Sequence, residues 1–138
     1  MDDSEKFPSF IYGTAWKEDA TAELVNMAVS NGFSGIDTAN QPRHYQEHLV
    51  GEALLKLSGE GIERENLFLQ SKFTPVDGHD HRIPYDPSAD LTTQVKQSFE
   101  SSLKNLHTDY LDSYLLHGPY SHPGLGNEDW EVWSAIEE

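Results

Sequence analysis

Asn66-Leu67-Phe68-Leu69-Gln70-Ser71-Lys72-Phe73 is a short apolar and aromatic run. Gly59 and Gly61 precede it, and Pro75 and Gly78 follow it. Such a run between turn residues predicts a β-strand. Upstream, residues 45–58 predict a helix, with Leu49, Val50, Ala53, Leu54 and Leu57 on one face. Downstream, 74–90 holds Pro75, Gly78, Pro84 and Pro87 and reads as a long loop, of the kind that is often functional in a compact domain. A helix over 91–106 follows, capped by Ser88 or Asp90, with Val95, Phe99, Leu103 and Leu106 inward.

The same unit recurs outward in both directions. Residues 9–13 and 33–37 predict strands, separated by a helix over 19–30 with Ala20, Leu24, Val25, Met27 and Ala28 apolar. Asn31-Gly32 ends that helix, because glycine takes the left-handed cap without strain. Residues 110–116 predict a fourth strand. A Gly/Pro loop over 118–126 leads into a helix over 128–138, whose Trp130, Trp133 and Ile136 are expected in the core. Strands alternating with helices mean βαβ units and a parallel sheet. Right-handed crossovers that all run the same way put four helices on one face, leaving the other face and two edges open. Those edges are templates for self-association.

Composition narrows the partners. The chain has 138 residues, nine Lys+Arg against 24 Asp+Glu, and a net charge of −15. That charge disfavours nucleic acid, which is gripped by clustered cations, and an anionic membrane surface. With no Cys, thiolate zinc sites, disulfides and Cys nucleophiles are excluded. No apolar run reaches the roughly 20 residues of a membrane span, and the first residues lack a secretory apolar segment. A cytoplasmic protein is expected. The mean hydropathy of −0.63 is polar, yet 36% hydrophobic residues suffice for a core.

Chemistry gathers just past each strand. Gly13-Thr14-Ala15-Trp16 follows the first, Asp37 ends the second, Lys72 lies in the third and His117 closes the fourth. In a parallel α/β barrel these ends share one mouth. A lysine in an apolar strand is hard to explain structurally, since buried lysine is rare unless paired. A lysine near a tyrosine hydroxyl lowers its pKa, and an aspartate keeps the lysine charged. The tyrosine could then give a proton to a carbonyl oxygen that a histidine polarises. Hydride would need a nicotinamide. Gly78-His79-Asp80-His81 offers too few converging ligands for a metal, so none is expected.

Four stretches in this order resemble the aldo-keto reductase family. They are Ile11-Tyr12-Gly13-Thr14-Ala15-Trp16; Gly32-Phe33-Ser34-Gly35-Ile36-Asp37-Thr38-Ala39 with Val50-Gly51-Glu52-Ala53-Leu54; Leu67 through Phe73; and Thr108-Asp109-Tyr110-Leu111-Asp112-Ser113-Tyr114-Leu115-Leu116-His117. Residues 74–87 look like those of a fungal-like branch. The resemblance implies a partial TIM barrel, the first four β/α units of a (β/α)8 fold, and NADPH-dependent reduction of a small-molecule carbonyl. It implies Asp37, Tyr45, Lys72 and His117 as catalytic residues. It places Gly13, Thr14, Ala15 and Asp37 along the cofactor, and Trp16, Tyr45 and His117 at the substrate. The family usually has its tyrosine five residues after the aspartate. Here Pro42 intervenes and Tyr45 lies eight on, so a three-residue insertion restores the match. Gly118 stands where a tryptophan is common, which opens the pocket.

By the resemblance, the residues holding the nicotinamide carboxamide and the cofactor phosphates belong to units five to eight. Residues 1–138 therefore read as one truncated domain, with 1–8 as a flexible N-terminus. The alternative expectation is an inactive half-barrel, a gene fragment or an interaction module.

Overall fold

The computed structural model describes residues 7–138; of the expected flexible segment, 1–6 lie outside the described residues. The strands are β1 (Ile11–Gly13), β2 (Gly35–Asp37), β3 (Phe68–Phe73) and β4 (Ser113–Leu116). The helices are α1 (Thr21–Ser30), α2 (Glu47–Gly59), α3 (Leu91–Leu106) and α4 (Asn127–Glu137). The sheet runs β1-β2-β3-β4, all parallel. Each strand ends where the sequence predicts and starts two or three residues later than the run that predicts it.

Side chains alternate across the sheet. Ile36, Leu69 and Phe73 face the helices and are completely buried. Ile36 and Leu69 pack with Val25, Val50, Leu57 and Leu106 from α1, α2 and α3. Phe73 joins a second cluster with Tyr85, Val95, Val132 and Ala135. Adjacent helices touch in chain order, α1 to α2 to α3 to α4. Gly51 makes the α2–α3 approach possible, since any Cβ there would collide with the Asn105 carbonyl. Asp90 caps α3 by accepting from the Thr93 N–H at 2.8 Å.

Two expectations are corrected. Ala20 and Met27 are exposed, and α1 begins at Thr21 after a short 3-10 turn. In α4, Trp130 and Trp133 are 57% and 42% exposed, while Asp129, Val132 and Ala135 are buried. Asp129 turns the helix, because its two carboxylate oxygens accept the Tyr120 and Gly126 N–H groups, each at 2.8 Å. An acidic side chain can be buried when its oxygens are satisfied in this way.

At the N-terminal ends of the strands, Arg64 ties the sheet together. It bonds to the Leu67 carbonyl, the Tyr110 carbonyl and the Asp112 carboxylate at 2.8–2.9 Å. Asp112 also accepts the Leu69 N–H at 2.9 Å.

Candidate active site

The opposite ends of the strands carry the other ion pair. Gly13, Asp37, Gln70 and Ser113 lie side by side in register, and Lys72 projects two residues beyond Gln70 on the same face. Lys72 Nζ lies 2.7 and 2.8 Å from the two Asp37 carboxylate oxygens and 2.9 Å from the Thr38 carbonyl. Those three acceptors match the three protons of an ammonium. Gln70 donates to Asp37 Oδ1 at 2.8 Å, and Ser113 donates to Gln70 Oε1 at 2.8 Å. A polar chain thus crosses three strands on the face turned away from the helices.

Tyr45 reaches this pair through a tight turn. The His44 and Tyr45 N–H groups both bond to the Gln41 carbonyl, at 3.1 and 2.9 Å. Gln41 is itself anchored, with Nε2 donating to the Gly78 carbonyl at 2.7 Å. This turn takes up the extra residues after Asp37. It places Lys72 Nζ 5.0 Å from the centre of the Tyr45 ring. The His117 ring meets the Tyr45 ring edge-on at 5.7 Å. Asp37, Tyr45, Lys72 and His117 are therefore neighbours.

The electrostatics differ from expectation in one respect. The Tyr45 hydroxyl is held above its ordinary pKa, first by burial and then by the nearby Asp37 carboxylate. The expected lowering by lysine is absent because Lys72 is committed to Asp37 and Thr38. His117 is pushed down to about 4, first by burial and then by the Lys72 charge, so it is neutral near pH 7. Its Nδ1 lies 2.8 Å from Thr74 Oγ1.

The first loop is placed unevenly. A Cβ built on Gly13 would meet nothing within 4 Å, so this part of the inner face is open and flat. Thr14 is fully buried, with Oγ1 donating to the Asp37 carbonyl at 2.8 Å. Ala15 is half-buried. Trp16 stands at the rim, its ring packed at a tilt on His44 with ring centres 4.0 Å apart, and its main-chain N–H donates to the His44 carbonyl. The open face beside Gly13 leaves room for a flat ring next to Asp37.

A cleft of about 270 Å³ opens beside His117, lined by Gln41, Thr74, Asp77, Gly118, Pro119 and Tyr120. The residues of the His79-Asp80-His81 run diverge. His79 packs edge-on against Tyr85, Asp80 pairs with Arg82, and His81 is exposed.

The sequence reading missed Gln70, Ser113, Thr74 and Glu47. Gln70 and Ser113 interrupt apolar strands just as Lys72 does, a signal that was available. Glu47 is 4% exposed and accepts from Ser71 Oγ and Asn105 Nδ2; burial raises its pKa. A glutamate opening a helix gives no sequence sign of burial.

Comparison with known proteins bears on the family and the fold. The sequence model of the aldo/keto reductase family matches residues 10–138. An uncharacterized oxidoreductase of Bacillus subtilis, YtbE, is 33% identical over 136 residues, covering 96% of this chain and 41% of that protein. NADPH-dependent codeinone reductase 1-3 of Papaver somniferum is 34% identical over 125 residues, covering 80% of this chain and 35% of its own length. The crystal structure of the thermostable aldo-keto reductase Tm1743 superposes with a TM-score of 0.66 at 28% identity, covering 95% of this chain and 44% of that one. An aldo-keto reductase crystallised with NADPH, at 23% identity, shares the fold with a TM-score of 0.70, covering 95% of this chain and 40% of that one. The chain spans less than half the length of the curated relatives it matches. Among the described residues, no helix is long and apolar enough to cross a membrane.

Proposed function

The chain belongs to the aldo/keto reductase family, and from that premise we propose that it serves NADPH-dependent reduction of an aldehyde or ketone to an alcohol. One observation carries the reading: Tyr45, eight residues past Asp37, still lies against both Lys72 and His117. The named relatives that use NADPH support the choice of cofactor.

Gly13, Ala15 and Asp37 would border the nicotinamide. When bound, NADPH supplies hydride to the carbonyl carbon. His117, neutral near pH 7, donates a hydrogen bond to the carbonyl oxygen without competing for its proton. Tyr45 keeps its proton until charge builds on that oxygen, then gives it up from Oη and becomes a phenolate. Lys72, fixed by Asp37, lies close enough to stabilise the phenolate. The products are the alcohol, NADP and a deprotonated Tyr45 that is reprotonated from solvent. The cleft beside His117 leaves room for the rest of the carbonyl compound.

The test is an NADPH fluorescence titration of the 138-residue chain, followed by aldehyde-dependent NADPH oxidation. Tyr45→Phe should abolish turnover and leave cofactor binding intact. Full turnover in that variant would remove Tyr45 from the mechanism. Absence of saturable binding at millimolar NADPH would overturn the reading for this chain by itself.

A second reading rests on the sheet edges. Among the described residues, β1 and β4 each pair on one side only, and exposed strand edges favour addition of a further strand. On this reading the chain is an interaction module that completes its sheet with another copy. Sedimentation should then show mass rising with concentration; a monomer at every concentration would exclude it.

A further inference from the structure

We propose that Thr74 is the positioning residue that fixes the tautomer of His117, and that the loop over 75–90 locks Thr74 in place to do so. The inference rests on the reading of His117 as the group that orients the carbonyl.

Protons in the Thr74–His117 pair must be accounted for. Thr74 is 2% exposed, and its Oγ1 lies 2.8 Å from His117 Nδ1. Among the described residues, that nitrogen is the sole acceptor within reach of the Thr74 hydroxyl. A buried hydroxyl needs an acceptor for its proton. Were Nδ1 protonated, two donors would face each other or the hydroxyl proton would be stranded. Both groups are satisfied when Thr74 donates and Nδ1 accepts. The imidazole proton then sits on Nε2, the nitrogen that must donate if His117 is to hold a carbonyl oxygen.

Three contacts from one loop hold Thr74. Its carbonyl accepts from Tyr85 Oη at 2.8 Å and from His79 Nε2 at 3.1 Å. Tyr85 is buried and stacked on Phe73, so this anchor belongs to the core. A Cβ on Gly78 would come within 2.6 Å of the Thr74 methyl. Glycine alone lets the loop backbone close over that methyl. Methyl and hydroxyl share one Cβ, so fixing the first aims the second. The loop thereby acts on His117 through Thr74.

The test reads tautomers directly and needs no turnover. Long-range nitrogen–proton NMR of the 15N-labelled 138-residue chain separates protonated from accepting imidazole nitrogens, and His117 is assigned by comparison with His117→Asn. The expected result near pH 7 is a His117 Nε2 carrying the proton and an Nδ1 at the resonance of a hydrogen-bonded acceptor. Thr74→Val should shift Nδ1 to the value of an unbonded nitrogen, and Thr74→Ser should restore it. Gly78→Ala should move Nδ1 in the same direction although the hydroxyl remains. His79 Nε2, bonded to a main-chain carbonyl, should stay protonated throughout and reports that each variant is folded. A proton on His117 Nδ1 in the unmodified chain overturns the proposal, even if every variant fails to fold. So does a Thr74→Val spectrum identical to the original. Failure of aldehyde reduction with these tautomers intact would overturn the enzymatic reading and leave the Thr74–His117 assignment standing.

Discussion

The two ends of the sheet each carry an ion pair of almost the same length, 2.8 Å for Arg64–Asp112 and 2.7 Å for Lys72–Asp37. They are spent differently. Arg64 covers the Tyr110 ring at 4.0 Å and bonds to two main-chain carbonyls, while Asp112 takes a main-chain N–H. These are backbone groups at strand ends that would otherwise lack partners. Around Lys72 and Asp37 stand the side chains of Gln70, Tyr45 and His117, with a single main-chain acceptor for Lys72, the Thr38 carbonyl. One pair closes the fold; the other gathers polar and aromatic side chains over an open surface. In parallel barrels the N-terminal ends of strands serve stability and the C-terminal ends serve chemistry, and this chain divides its charges along that line.

Replacing both members of each pair gives the sharpest contrast. Arg64→Met with Asp112→Asn should cost about 2–3 kcal/mol, because several charge-assisted bonds to the backbone are lost. A urea midpoint that falls at constant slope would register this. Lys72→Met with Asp37→Asn should change stability by about 1 kcal/mol or less, in either direction, since a neutral pair can replace a buried ionic one. Equal losses in the two double variants would break the comparison.

The pH dependence contributed by the chemical end should be smaller. His117 has a folded pKa of about 4, below its ordinary value of 6.5. The unfolded chain therefore binds the proton first, and stability falls as pH drops from about 6.5 towards 4. Partial solvent exposure of the ring reduces the size of this slope. His117→Asn should flatten that part of the stability profile in urea titrations at stepped pH. An unchanged slope would assign the effect to another group.

Tyr45→Phe should have the smallest effect, within about 0.5 kcal/mol in the urea midpoint, because no backbone group depends on its hydroxyl. A loss comparable to that of the Arg64 pair would mean that Tyr45 belongs to the structural end of the division.

Much of this was legible in the sequence. Asp37, Lys72 and His117 each break an apolar run at the end of a predicted strand, and parallel strands must bring such positions to one side. The sequence offered Ser88 or Asp90 as the cap of α3, and Asp90 holds it. Other features depend on contacts between distant segments. The turn at Gln41 that delivers Tyr45 is held by Gly78, 37 residues away. Thr74 matters through His117, 43 residues away. Trp130 and Trp133 keep the spacing of a buried face, yet Asp129 is buried instead because two backbone N–H groups lie where its oxygens can reach them.

The sequence by itself determined the four β/α units, their parallel order and the residue types at the mouth, because periodicity and turn chemistry are local properties. Only the tertiary structure decided which tyrosine meets Lys72, that Lys72 spends its protons on Asp37 and Thr38, and how His117 is held. Hydrogen-bond geometry between segments tens of residues apart is set by how helices and loops pack, and no local pattern in the chain encodes it.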